Sequence, residues 1–156
     1  MTALGDAPAA GATDAGGARV SLVLVSHSRL VAEGLVELAA QMAPGVVILP
    51  AGGTSDGGLG TSFDAVEEAL GRATADGRGA VVLTDLGSAV LTAESVLDVA
   101  DDDVAARTRV VDAPLVEGAV AAAVTAAGGA DLDAVVAAAV GARSGGSQVA
   151  DLAAPP

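Results

Sequence analysis

Short runs of β-branched and aliphatic residues alternate with helical patterns along most of this chain. Four such runs predict short buried strands, at residues 20–25, 46–49, 80–83 and 109–111. The stretches between them have apolar residues at a helical period and are bounded by glycine, proline and serine. Strands that alternate with helices in this way favour an α/β fold, with a doubly wound, mainly parallel sheet and helices on both of its faces.

The spacing of the apolar residues predicts which side of each early helix is buried. The first helix is expected to start after Ser28 and to bury residues at i, i+4, i+7 and i+11, which are Val31, Leu35, Leu38 and Met42. The second is expected to open at a capping box of Thr61 and Asp64. Its predicted buried side is Val66, Ala69, Leu70 and Ala73. A third helix, capped by Ser88, is expected to end at the acidic run 101–103, and two more follow from about 115 and 131.

The two ends of the chain differ in composition from its body. Residues 1–18 contain almost nothing that a core could bury, so they predict a disordered extension. Residues 144–156 predict a flexible C-terminal tail, which leaves 19–143 as the single folded domain. The first residues lack the basic start and apolar run of a secretory signal, and no apolar stretch is long enough to cross a membrane. We therefore expect a cytoplasmic protein.

The composition excludes several kinds of chemistry. The 156 residues include one histidine, one aromatic residue, no lysine and no cysteine, and the net charge is −13. A P-loop lysine, a Schiff base, a thiol nucleophile and a cysteine zinc site are therefore ruled out. The negative charge makes nucleic acid and anionic membranes unsuitable partners. No metal site is expected, because three consecutive acids at 101–103 are typical of a solvated turn.

The residues that can carry chemistry follow three of the predicted strands. Ligands bind beyond the carboxyl ends of parallel strands, so these three places are the candidate sites. Ser26, His27 and Ser28 follow the first predicted strand, the glycine-rich segment 51–60 follows the second, and 85–88 follow the third. If Asp85 accepted the Nδ1–H of His27, Nε2 would be left as a nucleophile. A phosphoryl group on that atom would lie near the amino end of the next helix, which favours an anion.

Each of these features also has an ordinary structural explanation. By position alone, His27 fits a surface or capping histidine as well as a catalytic one, and aspartate at the position of Asp85 is common in turns. The glycine segment does not match G-x-G-x-x-G, because Phe63 stands where the third glycine would be, and its pattern favours a mobile connector. Arg29 could pair with a phosphate or remain solvated.

Several strings, in this order, carry a resemblance to one known family. They are VSHS at 25–28, EGLVELAAQM at 33–42, the AGG…GT loop at 51–61, VVLTDLGSAVLTAE at 81–94, APLVEG at 113–118 and AAGGADLD at 126–133. Over roughly residues 20–140 the chain resembles the phosphotransferase subunits of phosphoenolpyruvate-dependent dihydroxyacetone kinases, which are similar to mannose-type IIA domains of the sugar phosphotransferase system. DLGSA, APLVEG and GADLD make the resemblance specific to the kinase subunits.

The resemblance implies a phosphohistidine carrier. His27 would accept a phosphoryl group from the phosphocarrier protein HPr and pass it to ADP on the nucleotide-binding kinase subunit, with Asp85 orienting the ring. The other residues expected around the phosphate are Ser26, Ser28, Arg29, Gly60, Thr61, Gly87 and Ser88. No tightly bound cofactor is implied, since the phosphoryl group is carried covalently on His27, and a homodimer is implied. Some relatives carry fused HPr-like and enzyme I-like domains; 156 residues leave no room for them, so a separate HPr is expected.

Three other interpretations were compared with this one. A phospho-aspartate receiver domain would share the fold, but it needs an acidic pair after the first strand and a lysine, and this chain has neither. A mannose-type IIA component of a sugar transporter would share the histidine and differ in its acceptor, a transporter IIB subunit. A regulatory module that binds nucleotide without catalysis would use the glycine loop to hold phosphate.

Overall fold

The computed structural model describes residues 17–153, with side chains as far as residue 142. Four strands form one sheet: β1 (Val20–Ser26), β2 (Ile48–Gly52), β3 (Gly79–Thr84) and β4 (Thr108–Val111). Six α-helices connect or follow them: α1 (Arg29–Met42), α2 (Phe63–Ala73), α3 (Gly87–Val99), α4 (Asp102–Ala106), α5 (Leu115–Ala127) and α6 (Leu132–Ala153). A 3₁₀ turn at Ala75–Gly77 precedes β3.

The sheet is parallel throughout, in the order β2-β1-β3-β4, with β1 and β3 in the middle. Leu24 of β1 pairs with Pro50 of β2 on one side and with Leu83 of β3 on the other. The predicted α/β fold is confirmed. Because β1 and β3 are neighbours and parallel, the segments that leave their carboxyl ends start side by side.

Alternate residues of β1 point into two different cores, as expected for a strand covered on both faces. Val20, Leu22 and Leu24 belong to the core that α1, α5 and α6 cover, and Val23 and Val25 belong to the core under α2 and α3. The first of these cores is largely alanine on its helical side, with Ala119, Ala122, Ala123 and Ala126 all buried in α5. Small side chains let these helices lie close to the sheet and to one another.

The predicted buried side of α2 is confirmed, whereas that of α1 is largely wrong. Val66, Ala69, Leu70 and Ala73 are all buried in α2. In α1, Leu35 is buried, but Val31, Leu38 and Met42 are about half exposed, at 49%, 46% and 54%. The buried side of α1 consists of Ala32, Leu35 and Ala39. Since α1 packs against β2 and the alanine-rich α5, the small residues of α1 form the contact and its larger apolar side chains remain partly exposed to solvent.

Two predicted helix caps are replaced by other residues. Ser62, not Thr61, caps α2, because its Oγ accepts the Ala65 N–H at 3.2 Å. Leu86 occupies the N-cap position of α3, and Ser88 lies inside the first turn with its hydroxyl turned toward His27. In both places a hydroxyl expected at a cap has a different hydrogen-bond partner.

The bounds of one strand differ from the prediction, and one short helix was not predicted. Strand β2 is shifted toward Pro50, which an edge strand accommodates because the missing N–H of proline can face away from the ladder. Helix α3 ends at Val99, just before the acidic run 101–103 as expected, but the run leads into the short helix α4, which was not predicted.

The chain ends give less information about the predicted domain boundaries. Residues 1–16 of the predicted extension lie outside the described residues. The predicted tail from 144 is helical as far as Ala153. Gly145 and Gly146 each disfavour a helix by about 1 kcal/mol, but they do not end this one. In the described part of the chain, no helix is both long and apolar enough to cross a membrane.

Candidate functional site

The histidine and the aspartate singled out in the sequence meet above the carboxyl ends of β1 and β3. His27 follows β1 directly and Asp85 follows β3 directly. The Nδ1 atom of His27 lies 3.0 Å from Oδ1 of Asp85, and both side chains are mostly shielded, with 25% and 21% of their surfaces exposed. The parallel pairing of the two central strands, with Val25 opposite Thr84, brings together residues 58 positions apart.

Three hydrogen bonds hold the carboxylate of Asp85. Besides the ring of His27, the backbone N–H of His27 and the hydroxyl of Ser26 donate to Oδ2, each at 2.9 Å. Partial burial raises the pKa of Asp85, but the hydrogen bonds from His27 and Ser26 together outweigh it and hold the pKa below its ordinary value. Asp85 is therefore a carboxylate at neutral pH and acts only as an acceptor toward the ring.

This carboxylate determines the tautomer of His27. Since Asp85 cannot donate, Nδ1 carries the proton and Nε2 keeps its lone pair. The Ser88 hydroxyl lies 2.6 Å from Nε2 and donates to it. Ser88 is exposed and 25% of the His27 side chain is accessible, so this contact at Nε2 lies in an exposed part of the site. The arrangement leaves Nε2 as the ring nitrogen that is available to act as a nucleophile.

Two serines shape the turn that carries His27 into α1. The Oγ atom of Ser26, which donates to Asp85, also accepts the backbone N–H of Ser28 at 3.0 Å. Ser28 in turn caps α1 by accepting the Val31 N–H at 3.2 Å, so the helix starts after Ser28 as expected. The amino end of this fourteen-residue helix thus begins two residues after His27, where its dipole favours a negatively charged group.

The glycine-rich segment packs against the backbone of the same turn. Gly60 donates its N–H to the His27 carbonyl at 2.8 Å, and Gly53 donates to the Ser26 carbonyl at 3.2 Å. Gly60 has φ = 137°, a conformation that favours glycine. The segment is therefore hydrogen-bonded to the turn that carries His27, although its sequence pattern alone favours a mobile connector.

A pair of threonines ties this glycine loop to α3. The Thr61 and Thr92 hydroxyls lie 2.7 Å apart, and Thr92 also donates to the carbonyl of Ser88 at 3.2 Å. Thr61 was expected near the site, but Thr92 was missed, since a threonine within a helical pattern gives no signal of its own. The one available sign was its spacing, four residues after Ser88 and so on the same side of the helix.

Two of the expected residues are not drawn into the site. Arg29 forms a 3.0 Å ion pair with Glu33, one helical turn along, and its side chain is 56% exposed. Gly87 begins α3 with open space where a Cβ would be, so no close approach at this position requires glycine. Arg29 therefore pairs with Glu33, and Gly87 can offer the site only its backbone.

A cleft of about 430 Å³ opens beside Asp85, between α3 and the end of β4. Glu94 and Asp112 are among the residues that line it, together with Thr84 and Leu86. A cleft with three carboxylates repels phosphate, which disfavours a nucleotide there.

Between residues 17 and 142, no three histidine or acidic side chains come together as they would around a metal ion.

Comparison with known proteins agrees with this geometry. The family model described as the PTS system fructose IIA component, EIIA-man, matches residues 21–136. A Listeria innocua protein, PEP-dependent dihydroxyacetone kinase 2, phosphoryl donor subunit DhaM, is 42% identical over 106 residues, which are 67% of this chain and 84% of that relative. The corresponding subunit of Providencia stuartii is 42% identical over 120 residues, 74% of this chain, but the match spans only 25% of that longer relative.

A solved structure has a closely similar fold. A crystal structure of a protein described as being of unknown function has a TM-score of 0.71 and 40% sequence identity, covering 78% of this chain and 92% of the other. The family resemblance inferred from the sequence strings is confirmed by these matches.

Proposed function

The chain belongs to the EIIA-man family of phosphotransferase-system IIA components, and on that premise we propose that it carries a phosphoryl group on Nε2 of His27. The observation that carries the proposal is the 3.0 Å contact between Nδ1 of His27 and Asp85, which leaves Nε2 as the nucleophile. The group would come from phospho-HPr and go to ADP bound on the nucleotide-binding subunit of a dihydroxyacetone kinase. The chain would thus be a phosphotransferase subunit.

In the loading step, the lone pair on Nε2 attacks the phosphorus of phospho-HPr. The bond between Nε2 and phosphorus forms as the bond between phosphorus and its donor atom in HPr breaks, and that atom keeps the electron pair. The proton on Nδ1 stays in place, so the ring gains positive charge, which the carboxylate of Asp85 offsets at 3.0 Å. The Ser88 hydroxyl, released from Nε2, can then donate to a phosphoryl oxygen.

In the unloading step, a β-phosphate oxygen of ADP attacks the same phosphorus from the opposite side. The bond to Nε2 breaks, ATP forms on the kinase subunit, and His27 recovers its lone pair without any net proton transfer. The chain needs no nucleotide site and no tightly bound cofactor for this exchange, because the covalent phosphoryl group is its cargo.

The names of the relatives support the kinase as partner. The Listeria innocua and Providencia stuartii proteins are both named phosphoryl donor subunits of phosphoenolpyruvate-dependent dihydroxyacetone kinases. Because the match spans a quarter of the Providencia protein, the activity of that whole protein does not carry over, and HPr as the donor is part of the proposal. The proposal also includes a homodimer, which the family resemblance implies, and a cytoplasmic location, which the sequence predicts.

A sugar-transport IIA component is the second candidate, because the family model that matches the chain is described as the PTS system fructose IIA component. Such a component would use His27 and Asp85 in the same way and differ only in the acceptor. The choice between the two therefore depends on which protein unloads His27.

The test is phosphotransfer with both acceptors. After incubation with phosphoenolpyruvate, enzyme I and HPr, the chain should carry one acid-labile, base-stable phosphoryl group, and His27→Ala should carry none. Kinase subunit with ADP should then remove the label, whereas a transporter IIB subunit should not. Label that survives His27→Ala would refute the carrier proposal, and unloading by the IIB subunit alone would replace the kinase with a transporter.

A further inference from the structure

Among the side chains that the structure describes, Arg29 is the one arginine at the carboxyl end of the sheet. It is the first residue of α1 and lies two residues after His27. The other described arginines hold backbone carbonyls or lie in segments that lead to the amino ends of the strands; they are Arg19, Arg72, Arg78, Arg107 and Arg109. Arg29 is therefore the described cation to consider when a phosphoryl dianion is placed on His27.

The position of Arg29 opposes the electrostatics of its own helix. The amino end of a helix carries a partial positive charge, so acidic side chains are favoured there and arginine is disfavoured. The first turn of α1 nevertheless contains this arginine and no acidic residue. An anion at the amino end of α1 would offset this penalty, and a phosphoryl group on His27 would be such an anion.

In the unloaded chain the guanidinium of Arg29 is paired with Glu33. Nη1 of Arg29 lies 3.0 Å from Oε1 of Glu33, and about half of each side chain is exposed. Exposed ion pairs four residues apart on a helix are weak, and the better order has the acid nearer the amino end, which is reversed here. Glu33 thus keeps Arg29 beside the site without binding it firmly.

The glycine-rich segment restrains the backbone of Arg29 but not the end of its side chain. A Cβ at Gly52 would lie 2.8 Å from the Cα of Arg29, and one at Gly53 would lie 3.4 Å from its Cβ. More than half of the Arg29 side chain is still exposed. The guanidinium can therefore change partners by rotation about side-chain bonds, while the turn that carries His27 stays in place.

We propose that Arg29 exchanges Glu33 for the phosphoryl group once His27 is loaded, and that Glu33 is a positioning residue that competes for the guanidinium. This inference rests on the proposed phosphoryl transfer to His27. Hydrogen bonds from the guanidinium to phosphoryl oxygens stabilise the loaded chain. Because Glu33 offers Arg29 an alternative partner, it weakens that stabilisation and makes His27 release its phosphoryl group more readily.

The first test measures the equilibrium constant for phosphoryl transfer from phospho-HPr to the chain. Arg29→Gln should lower this constant about tenfold, the size expected for one charge-assisted hydrogen bond. Arg29→Lys keeps the charge but not the planar fork, so its constant should lie between the two. Arg72→Gln is the matched control, since it removes the same charge from an exposed position in the last turn of α2, and it should leave the constant unchanged.

The second test separates competition by Glu33 from simple charge repulsion. Glu33→Gln should raise the equilibrium constant about twofold, as expected for the loss of an exposed ion pair, and should have no effect in a chain that already carries Arg29→Gln. Repulsion between Glu33 and the phosphoryl group would instead give the same factor in both backgrounds, and that result would contradict the exchange. Glu37→Gln, at an exposed acid one turn further along α1, should change nothing.

A direct measurement keeps the exchange separable from the carrier function. Phosphoramidate phosphorylates histidine chemically, so His27 can be loaded without HPr, with His27→Ala as the control. On loading, the ¹⁵N NMR signal of Arg29 Nε should shift and that of Arg72 should not. If phospho-HPr loads the wild type but Arg29→Gln behaves like Arg72→Gln, the exchange is wrong and the carrier function stands. If phospho-HPr does not load the wild type but phosphoramidate produces the Arg29 shift, the exchange is supported and the proposed function fails.

Discussion

The carboxylate of Asp85 contacts His27 twice, through Oδ1 to the ring Nδ1 at 3.0 Å and through Oδ2 to the backbone N–H at 2.9 Å. Two contacts to one residue fix both the position of the ring and its tautomer. Asp85 is thus placed to keep Nε2 free of a proton and to offset charge that develops on the ring during transfer.

Asp85→Asn should slow phosphoryl transfer to His27 while leaving the fold intact. The amide is isosteric but uncharged, and it can donate to Nδ1, which would move the ring proton to Nε2. Groups that orient a histidine are worth about 10- to 100-fold where they have been measured on metal-bound histidines, and we expect a loss of that size. Rapid-quench kinetics with phospho-HPr would measure it.

The tautomer itself provides the control for this prediction. ¹⁵N NMR of the wild type should show a protonated Nδ1 and an unprotonated Nε2 on its single histidine, and in Asp85→Asn the Nε2-protonated form should gain population. An unchanged transfer rate in a variant with a shifted tautomer would remove Asp85 from the mechanism.

The same hydrogen bonds make stability depend on pH. The pKa of Asp85 is lowered in the folded chain, so the unfolded chain takes up a proton at this residue at a higher pH than the folded chain does. The stabilisation is fully present above the unfolded pKa and is lost as the pH falls through the folded pKa. Urea unfolding between pH 6 and pH 3 should therefore show a steeper loss of stability for wild type than for Asp85→Asn.

Ser26→Ala gives an intermediate case for this pH prediction. It removes one hydroxyl donor to Asp85 but keeps the carboxylate and the two His27 contacts. Its loss of stability on acidification should fall between those of wild type and Asp85→Asn. Identical pH slopes for all three proteins would mean that these hydrogen bonds do not distinguish the folded from the unfolded state.

Thr92→Val should loosen the glycine loop from α3. The variant keeps the shape of the side chain but loses the hydroxyl that bonds to Thr61 and to the Ser88 carbonyl. A hydrogen bond worth about 1 kcal/mol corresponds to roughly fivefold faster hydrogen exchange of the Gly60 N–H, which donates to the His27 carbonyl. Thr92→Ser should restore the wild-type exchange rate.

A second serine on α3 supplies the control for the threonine pair. The Ser95 hydroxyl donates to the Leu91 carbonyl at 2.9 Å, the same local pattern, in an exposed position one turn further along. Ser95→Ala should leave Gly60 exchange unchanged. If Thr92→Val and Ser95→Ala behave alike, the threonine pair does not hold the loop.

The meeting of His27 and Asp85 could be predicted because it depends on topology alone. Each residue follows a buried strand, and parallel strands end at the same edge of a sheet. The roles of Ser88 and Thr61 could not be predicted in the same way. From the sequence, each hydroxyl could serve as a helix cap. In the structure α3 lies close to the turn at His27 and to the glycine loop, so Ser88 contacts His27 and Thr61 contacts Thr92 instead.

The buried side of α1 shows a second limit of sequence patterns. Leu38 and Met42 continue the helical period of Leu35, yet both are half exposed, while Ala32 and Ala39 are buried. Hydrophobicity alone ranks leucine above alanine, but close packing between α1, β2 and an alanine-rich α5 favours small side chains. The distance between two packed elements depends on the side chains of both. The apolar pattern of one helix alone therefore does not predict that distance.

Gly52 and Gly34 should respond in opposite ways to substitution by alanine. A Cβ at Gly52, the last residue of β2, would lie 2.6 Å from the Ser28 carbonyl oxygen and 2.8 Å from Ala32 Cβ. These atoms belong to the start of α1 and cannot yield without moving the turn that carries His27. Gly52→Ala should lower the free energy of unfolding by about 1–3 kcal/mol, as overpacking does, and should slow loading of His27.

Gly34, in the middle of α1, has open space where a Cβ would be. Gly34→Ala should therefore raise the free energy of unfolding, by up to about 1 kcal/mol, because alanine favours the helix, and it should leave loading unchanged. Urea denaturation and phosphotransfer on both variants would test the pair. Equal stability of the two variants would mean that adding a Cβ has the same effect in a crowded and in an open position. That result would contradict the close approach of β2 to the turn that carries His27.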